Sequence, residues 1–263
     1  MRRGRRQGIH GTGRAKRRAL PVVAAVVTAA LGLAVISGVE TYDGVRNGQL
    51  VNAAPAASVA VHALRIMALG SSSTVGEGSP ATAGFRGPLE SLLARDGTAF
   101  VMVGSQQSGP PSVPDRHHEG HPGWTMAQIQ PLVAGWMKAQ RPDVVLLQVG
   151  TNDLNSGVSA PATAARLDRM LTTIHGVSNA GVIVAGVWAP LRAHAQARAD
   201  YQRLASAVLA RHRARGEATT FVDTSTLLGP GDLFDALHPN TNGYRKIAAM
   251  WHREIRSFVA TQH

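Results

Sequence analysis

A serine hydroxyl becomes a nucleophile only when a base within hydrogen-bond reach takes its proton. This chain carries the parts for that chemistry at widely separated points. Ser71, Ser72 and Ser73 follow the short apolar run Ile66–Leu69 and Gly70, with Thr74, Gly76 and Gly78 behind them. The pattern reads as a buried strand opening into a small-residue loop that bears an exposed hydroxyl. Far downstream, His238 precedes Pro239, and Asp235 lies three residues before it. A carboxylate so placed can turn back onto the second ring nitrogen, fix the tautomer and stabilise the imidazolium that forms. Between these points, Asn152 in Gly150-Thr-Asn-Asp153 offers a side-chain amide, and Gly123 offers a backbone N–H with no Cβ to obstruct a ligand. Losing one donor aimed at a developing oxyanion costs ~10²–10³ in rate. The chemistry these residues could perform together is acyl transfer. Taken singly, each also has a plain structural role: a Ser/Gly turn, an Asp/His helix cap, an Asn turn, a turn glycine after Pro122.

Such residues work only if strand ends bring them to one place. Five apolar runs rich in β-branched residues recur, at Ile66–Leu69, Ala99–Val103, Val144–Val149, Val182–Val187 and Thr219–Val222. Helical stripes separate them: Phe85, Leu89, Leu92 and Leu93; Met126, Ile129, Leu132, Val133 and Trp136; Leu167, Met170, Leu171 and Ile174; the Ala/Arg-rich stretch 193–215; and Tyr244, Ile247, Ala248, Trp251, Ile255 and Phe258 after a cap at Asn240 or Thr241. Strands alternating with helices predict parallel crossovers and a three-layer α/β/α sandwich around a central five-stranded parallel sheet. The loops after the first, third and fifth strands then carry Ser, Asn and Asp/His to one sheet edge, where ligands of open α/β sheets sit. The long segment Gly104 to Trp124 after the second strand reads as a functional loop.

In this order the segments resemble the four blocks of the SGNH (GDSL-like) hydrolases. Gly70-Ser-Ser-Ser-Thr-Val-Gly76 is similar to the first block, Gly-Asp-Ser-x-Thr-x-Gly, and alignment on Thr74 and Gly76 makes Ser72 the nucleophile. Gly123 falls in the second block, Gly150-Thr-Asn-Asp153 in the third, and Asp235-Ala-Leu-His-Pro239 in the last. The resemblance covers 64–258 and implies a flavodoxin-like SGNH hydrolase fold. It also implies a Ser72–His238–Asp235 triad, and an oxyanion hole of the Ser72 N–H, the Gly123 N–H and the Asn152 amide. The segment His118-Glu-Gly-His-Pro-Gly-Trp124 and the Pro-Asp-Val-Val-Leu-Leu run before Gly150 look most like the carbohydrate-esterase branch, whose members remove acetyl groups from polysaccharides without a metal. One departure stands out: Ser71 occupies the place of the family's Asp, so no carboxylate adjoins the nucleophile.

The implied partner is an acylated small molecule or polysaccharide, with Trp124, Asp153 and Trp188 as candidate substrate contacts. No cofactor is expected. A metal at His117-His-Glu-Gly-His121 is disfavoured because Gly and Pro break the helix that His-Glu-x-x-His needs. A surface-anchored carbohydrate-binding protein without turnover, and a lipase- or lysophospholipase-like esterase, are the competing readings.

Composition limits the rest. Cysteine is absent, which excludes disulfides and thiolate chemistry. The net charge of +11 is concentrated in residues 1–18, which hold eight Lys/Arg, leaving 19 basic residues against 16 acidic ones in the remainder. That is not the basic face of a nucleic-acid binder. Residues 1–38 read as a basic tail plus a signal peptide or signal anchor, since Ala19 to Gly38 carries no charge over about the ~20 residues that span a bilayer. Residues 39–62 read as a linker, and 63–261 as one domain, expected to be extracytoplasmic and monomeric.

Overall fold

The computed structural model describes residues 62–188 and 194–261, all within one compact unit beginning at Ala57. The basic tail, the apolar run and nearly all of the linker lie outside the described residues. Among the described residues no helix is long and apolar enough to cross a membrane.

The elements run β1 (Leu64–Gly70), α1 (Ser72–Val75), α2 (Arg86–Arg95), β2 (Phe100–Val103), β3 (Gln106–Gln107), β4 (His117–Gly120), α3 (Met126–Gln140), β5 (Val144–Gln148), α4 (Thr151–Asn155), α5 (Ala160–His175), β6 (Gly181–Ala185), α6 (Ala195–Ala214), β7 (Thr219–Val222) and α7 (Thr241–Ala260). Five strands pair in parallel in the order β2-β1-β5-β6-β7. Numbered by their sequence order, these are 2-1-3-4-5, the doubly wound arrangement whose order reverses between β1 and β5. The loops that carry Ser72 and Asn152 follow those two strands, at the switch point.

Both sheet faces are buried, so the strands read as unbroken apolar runs rather than alternating ones. Met67, Leu69, Val145, Leu147, Val182 and Val184 pack under α3, α5 and α6. Ile66, Ala68, Val144, Leu146, Ile183 and Ala185 pack under α2 and α7. This is the three-layer sandwich expected from the sequence. The apolar stripe of α3 differs in detail: Leu132 is exposed, and Met137 takes a buried place instead. Asn240 is the observed cap of α7, its side chain accepting from the N–H groups of Asn242 and Gly243.

The segment 104–124 is more ordered than a loop. β4 continues the edge of β1 beyond the end of β2, pairing in parallel at Leu69 with Glu119 and at Gly70 with Gly120, and β3 adds to it antiparallel. These two strands have no apolar signature because β3 is two exposed glutamines and the buried side chains of β4 are polar and hydrogen-bonded. Glu119 is fully buried, and its carboxylate accepts from the Ser105 N–H at 2.7 Å and the Ser105 hydroxyl at 2.8 Å.

Candidate active site

The end of β1 is where the backbone is most confined. A Cβ on Gly70 would stand 2.4 Å from Thr74 Oγ1 and 2.5 Å from the Gln148 carbonyl. Glycine therefore lets the chain turn at once into α1, with Ser72 at its first position. Arg86 holds this turn from below. Its buried guanidinium donates to the carbonyls of Thr74 and Val75 and to those of Ser108 and Arg116. One cation thereby ties the serine loop to the segment around β3 and β4. Burial lowers the Arg86 pKa to about 10, against the nearby Glu90 and Asp115 carboxylates, so the side chain remains charged at neutral pH.

Ser72 Oγ lies 3.0 Å from His238 Nε2, and His238 Nδ1 lies 2.8 Å from Asp235 Oδ2. The second oxygen of Asp235 accepts from the N–H groups of Leu237 and His238, both at 2.6 Å. The loop is closed by a bridge between Leu233 and Pro239 and by the Phe234 N–H donating to the His238 carbonyl. Burial acts upward on Asp235, but hydrogen bonds from the His238 ring and from the two backbone N–H groups outweigh it and hold the carboxyl down at about 2. The carboxylate is therefore ionised at neutral pH, and Nδ1 carries the proton. In the neutral imidazole that leaves Nε2 with its lone pair toward the Ser72 hydroxyl.

Gly123 and Asn152 meet across the switch point. The Asn152 amide donates to the Trp124 carbonyl at 2.8 Å, which fixes the Gly123 loop against α4 and leaves one amide hydrogen free for a ligand. Gly123 has φ +78 and a Cβ there would meet open space, so the cleft side of the loop is clear. Among the described residues the N–H groups of Ser72 and Gly123 have no acceptor. The loop itself is stacked: the His121 ring lies between Trp124, 4.3 Å away at 18°, and Trp136, 4.8 Å away at 11°. His121 Nε2 meets the buried Glu119 at 2.8 Å.

Two of the expected substrate contacts are placed elsewhere by the fold. Trp188 is 2% exposed and belongs to the core under α7. Asp153 is 1% exposed; it accepts from the Met126 N–H at the start of α3 and pairs with Arg166 at 2.6 Å. Both are structural. Trp124 is half-buried, with one face covered by His121. The histidines of 117–121 diverge instead of converging. His117 turns to Asp115, His121 to Glu119, and His118 spans Ser108 Oγ at 2.7 Å and the Gly120 N–H at 2.9 Å. Burial, reinforced by Arg86, drives His118 down to about 3, so it is neutral. Ser71 lies at the start of α1, its carbonyl accepting from Thr74 and Val75. One ionisable group had no signal in the sequence: Glu77 Oε2 lies 3.0 Å from His238 Nε2.

Fold and site together define a class, the doubly wound sandwiches whose serine, histidine and carboxylate meet at the carboxyl edge of the sheet. The model of the GDSL-like lipase/acylhydrolase family matches residues 68–246. A family 3 carbohydrate esterase of Clostridium thermocellum is 33% identical with a TM-score of 0.67, over 73% of this chain and 94% of that one. A family 3 carbohydrate esterase of Talaromyces cellulolyticus shares the fold, with a TM-score of 0.63 at 22% identity over 75% of this chain and 99% of that one. A multidomain esterase of Ruminococcus flavefaciens is 25% identical over 252 residues, which make up 80% of this chain and 31% of that protein. The chain thus spans about a third of that relative's length. The chain belongs to the GDSL-like lipase/acylhydrolase family, within the SGNH hydrolases and on their carbohydrate-esterase side.

Proposed function

We propose that the protein is a serine esterase that removes short acyl groups, acetyl above all, from a carbohydrate. The observation that carries this reading is the continuous line Ser72 Oγ–His238 Nε2 (3.0 Å) and His238 Nδ1–Asp235 (2.8 Å). Ser72 Oγ attacks the ester carbonyl while Nε2 takes its proton. The carbonyl oxygen, now negative, is held by the N–H groups of Ser72 and Gly123 and the free amide hydrogen of Asn152. Collapse expels the sugar hydroxyl, which receives the proton from Nε2, and leaves an acyl-Ser72 ester. Water, deprotonated by the same nitrogen, releases the carboxylic acid and restores the serine. No step calls for a metal or cofactor.

The similarity to a carbohydrate esterase at 33% identity supports acetylated glycan as the substrate class. The basic tail and the apolar run 19–38 support export, with the catalytic part outside the cytoplasm. The purified protein is expected to hydrolyse p-nitrophenyl acetate and acetylated xylan, with Ser72→Ala inactive on both. Equal slow hydrolysis by wild type and Ser72→Ala, with glycan still bound, would instead indicate a binding protein. A preference for long acyl chains would indicate a lipase. Cell fractionation with protease shaving tests the location; a full-length protein found in the cytosol would refute export.

A further inference from the structure

The reacting nitrogen of His238 has two oxygen partners. Ser72 Oγ and Glu77 Oε2 each lie 3.0 Å from Nε2. The Ser72 hydroxyl can donate to the Nε2 lone pair, whereas an ionised carboxylate beside Nε2 favours the protonated ring. Nε2 is hydrogen-bonded to Ser72 Oγ, and the Glu77 carboxylate stands beside it at ion-pair distance, so an imidazolium here has a carboxylate at each ring nitrogen.

The surrounding backbone makes this placement specific. Glu77 lies between Gly76 and Gly78, at φ +104 and +87. A Cβ on Gly78 would stand 2.3 Å from the Pro239 carbonyl, so glycine there lets the Glu77 loop and the His238 loop touch. The Tyr244 hydroxyl of α7 donates to the Glu77 carbonyl at 2.6 Å and fixes the backbone beneath the carboxylate. The Glu77 side chain is 44% exposed and free to swing outward, whereas His238 is 16% exposed. The charged and titratable groups around the imidazole are Asp235 on its own loop, Glu77 beside the nucleophile, Tyr244 on α7, and Arg86 on α2 behind the serine turn.

We propose that Glu77 is a further positioning residue of this site, holding the proton on His238 Nε2 in the ligand-free protein from the place a leaving alcohol must occupy. The inference rests on the esterase reading. In the free protein the Glu77 carboxylate stands against Nε2 and must move aside before that nitrogen can serve as base. When the ester enters, the carboxylate swings out, the Nε2 proton leaves to solvent water, and the freed lone pair accepts from the Ser72 hydroxyl. After attack, the proton on Nε2 passes to the departing oxygen rather than back to Glu77.

The test is the acid limb of kcat/KM for acetate ester hydrolysis, measured on the full chain from about pH 4 to about pH 9, the range in which imidazoles titrate. Glu77→Gln should move that limb to lower pH by about one unit, the usual effect of removing an adjacent opposite charge. Glu77→Asp, which keeps a carboxylate, should fall between the two. Glu254→Gln makes the same change of charge beside Thr219 and Val182 at the far edge of the sheet and should leave the limb in place. A Glu77→Gln limb that coincides with wild type overturns the proposal, as does an equal shift in Glu254→Gln. Activity surviving in Ser72→Ala would overturn the esterase reading itself, so the two failures are separable.

Discussion

At the scale of single residues, the site depends on who holds which proton. Asp235 stays ionised down to about pH 2 because the His238 ring and two backbone N–H groups bond to it. Inactivation by mild acid therefore reports protonation of the base and not of Asp235, and Asp235→Asn should lower kcat over the whole pH range and move the acid limb to lower pH, because it removes an opposite charge 2.8 Å from the ring. The same depression has a consequence for stability. A carboxyl held below its ordinary pKa stabilises the loop above about pH 4 and loses that contribution as pH falls toward 2. The oxyanion donors make a second prediction. On the proposed mechanism, Asn152→Ala should lower kcat by ~10²–10³ with a smaller change in KM, because its amide would bond the charge that develops only in the transition state. It also releases the Trp124 carbonyl, so this variant should lose some order in the Gly123 loop, visible as faster amide exchange there.

Elements, rather than residues, explain the two substrate contacts that the fold reassigns. Asp153 follows Asn152 in the third block and shares its exposed-looking sequence context, yet it caps the start of α3 and pairs with Arg166 on α5. Asp153→Ala should destabilise the protein by about 2 kcal/mol, the cost of stranding a partly buried cation and an N–H, with denaturant titration as the check. Trp188→Ala should cost about 3–5 kcal/mol as a core cavity and leave KM nearly unchanged in whatever fraction stays folded. The parallel strands and amphipathic helices were legible because a sheet covered on both faces needs continuous apolar runs. Ser72, His238 and Asp235 were legible because the roles of nucleophile, base and acid fix residue type, and the resemblance to the family's blocks fixed which residues of that type to choose. β3 and β4 were not, since β3 is two exposed glutamines and the buried side chains of β4, His118 and Glu119, are satisfied by Ser108, Ser105 and His121 through contacts that no local pattern encodes. Glu77 escaped for a related reason: only the meeting of two loops distant in sequence puts its carboxylate beside the imidazole.

On the scale of the whole molecule, one buried acid adds a slope of its own to stability around neutral pH. Burial raises Glu90 from 4.5 to about 7, chiefly against the pull of the Asp115 N–H that it accepts. A carboxyl neutral in the folded state and ionised in the unfolded one makes stability fall as pH rises from about 4.5 to about 7, by up to about 3 kcal/mol. Glu90→Gln should remove that slope, so thermal melts of variant and wild type should agree near the acid end and separate above neutral pH. Neutral Glu90 also lies where α2 meets the segment leading into β4, so the acid that sets stability adjoins the strand that ends at the Gly123 loop. That loop has its own optical signature. His121 is stacked between Trp124 and Trp136, while Trp188 and Trp251 are sealed in the opposite layer. An imidazole pressed against two indoles quenches their emission, and any ligand that lifts the loop would separate the rings. The protein thus carries an intrinsic fluorescent gauge of its oxyanion loop, readable in a stopped-flow mixing experiment without a label.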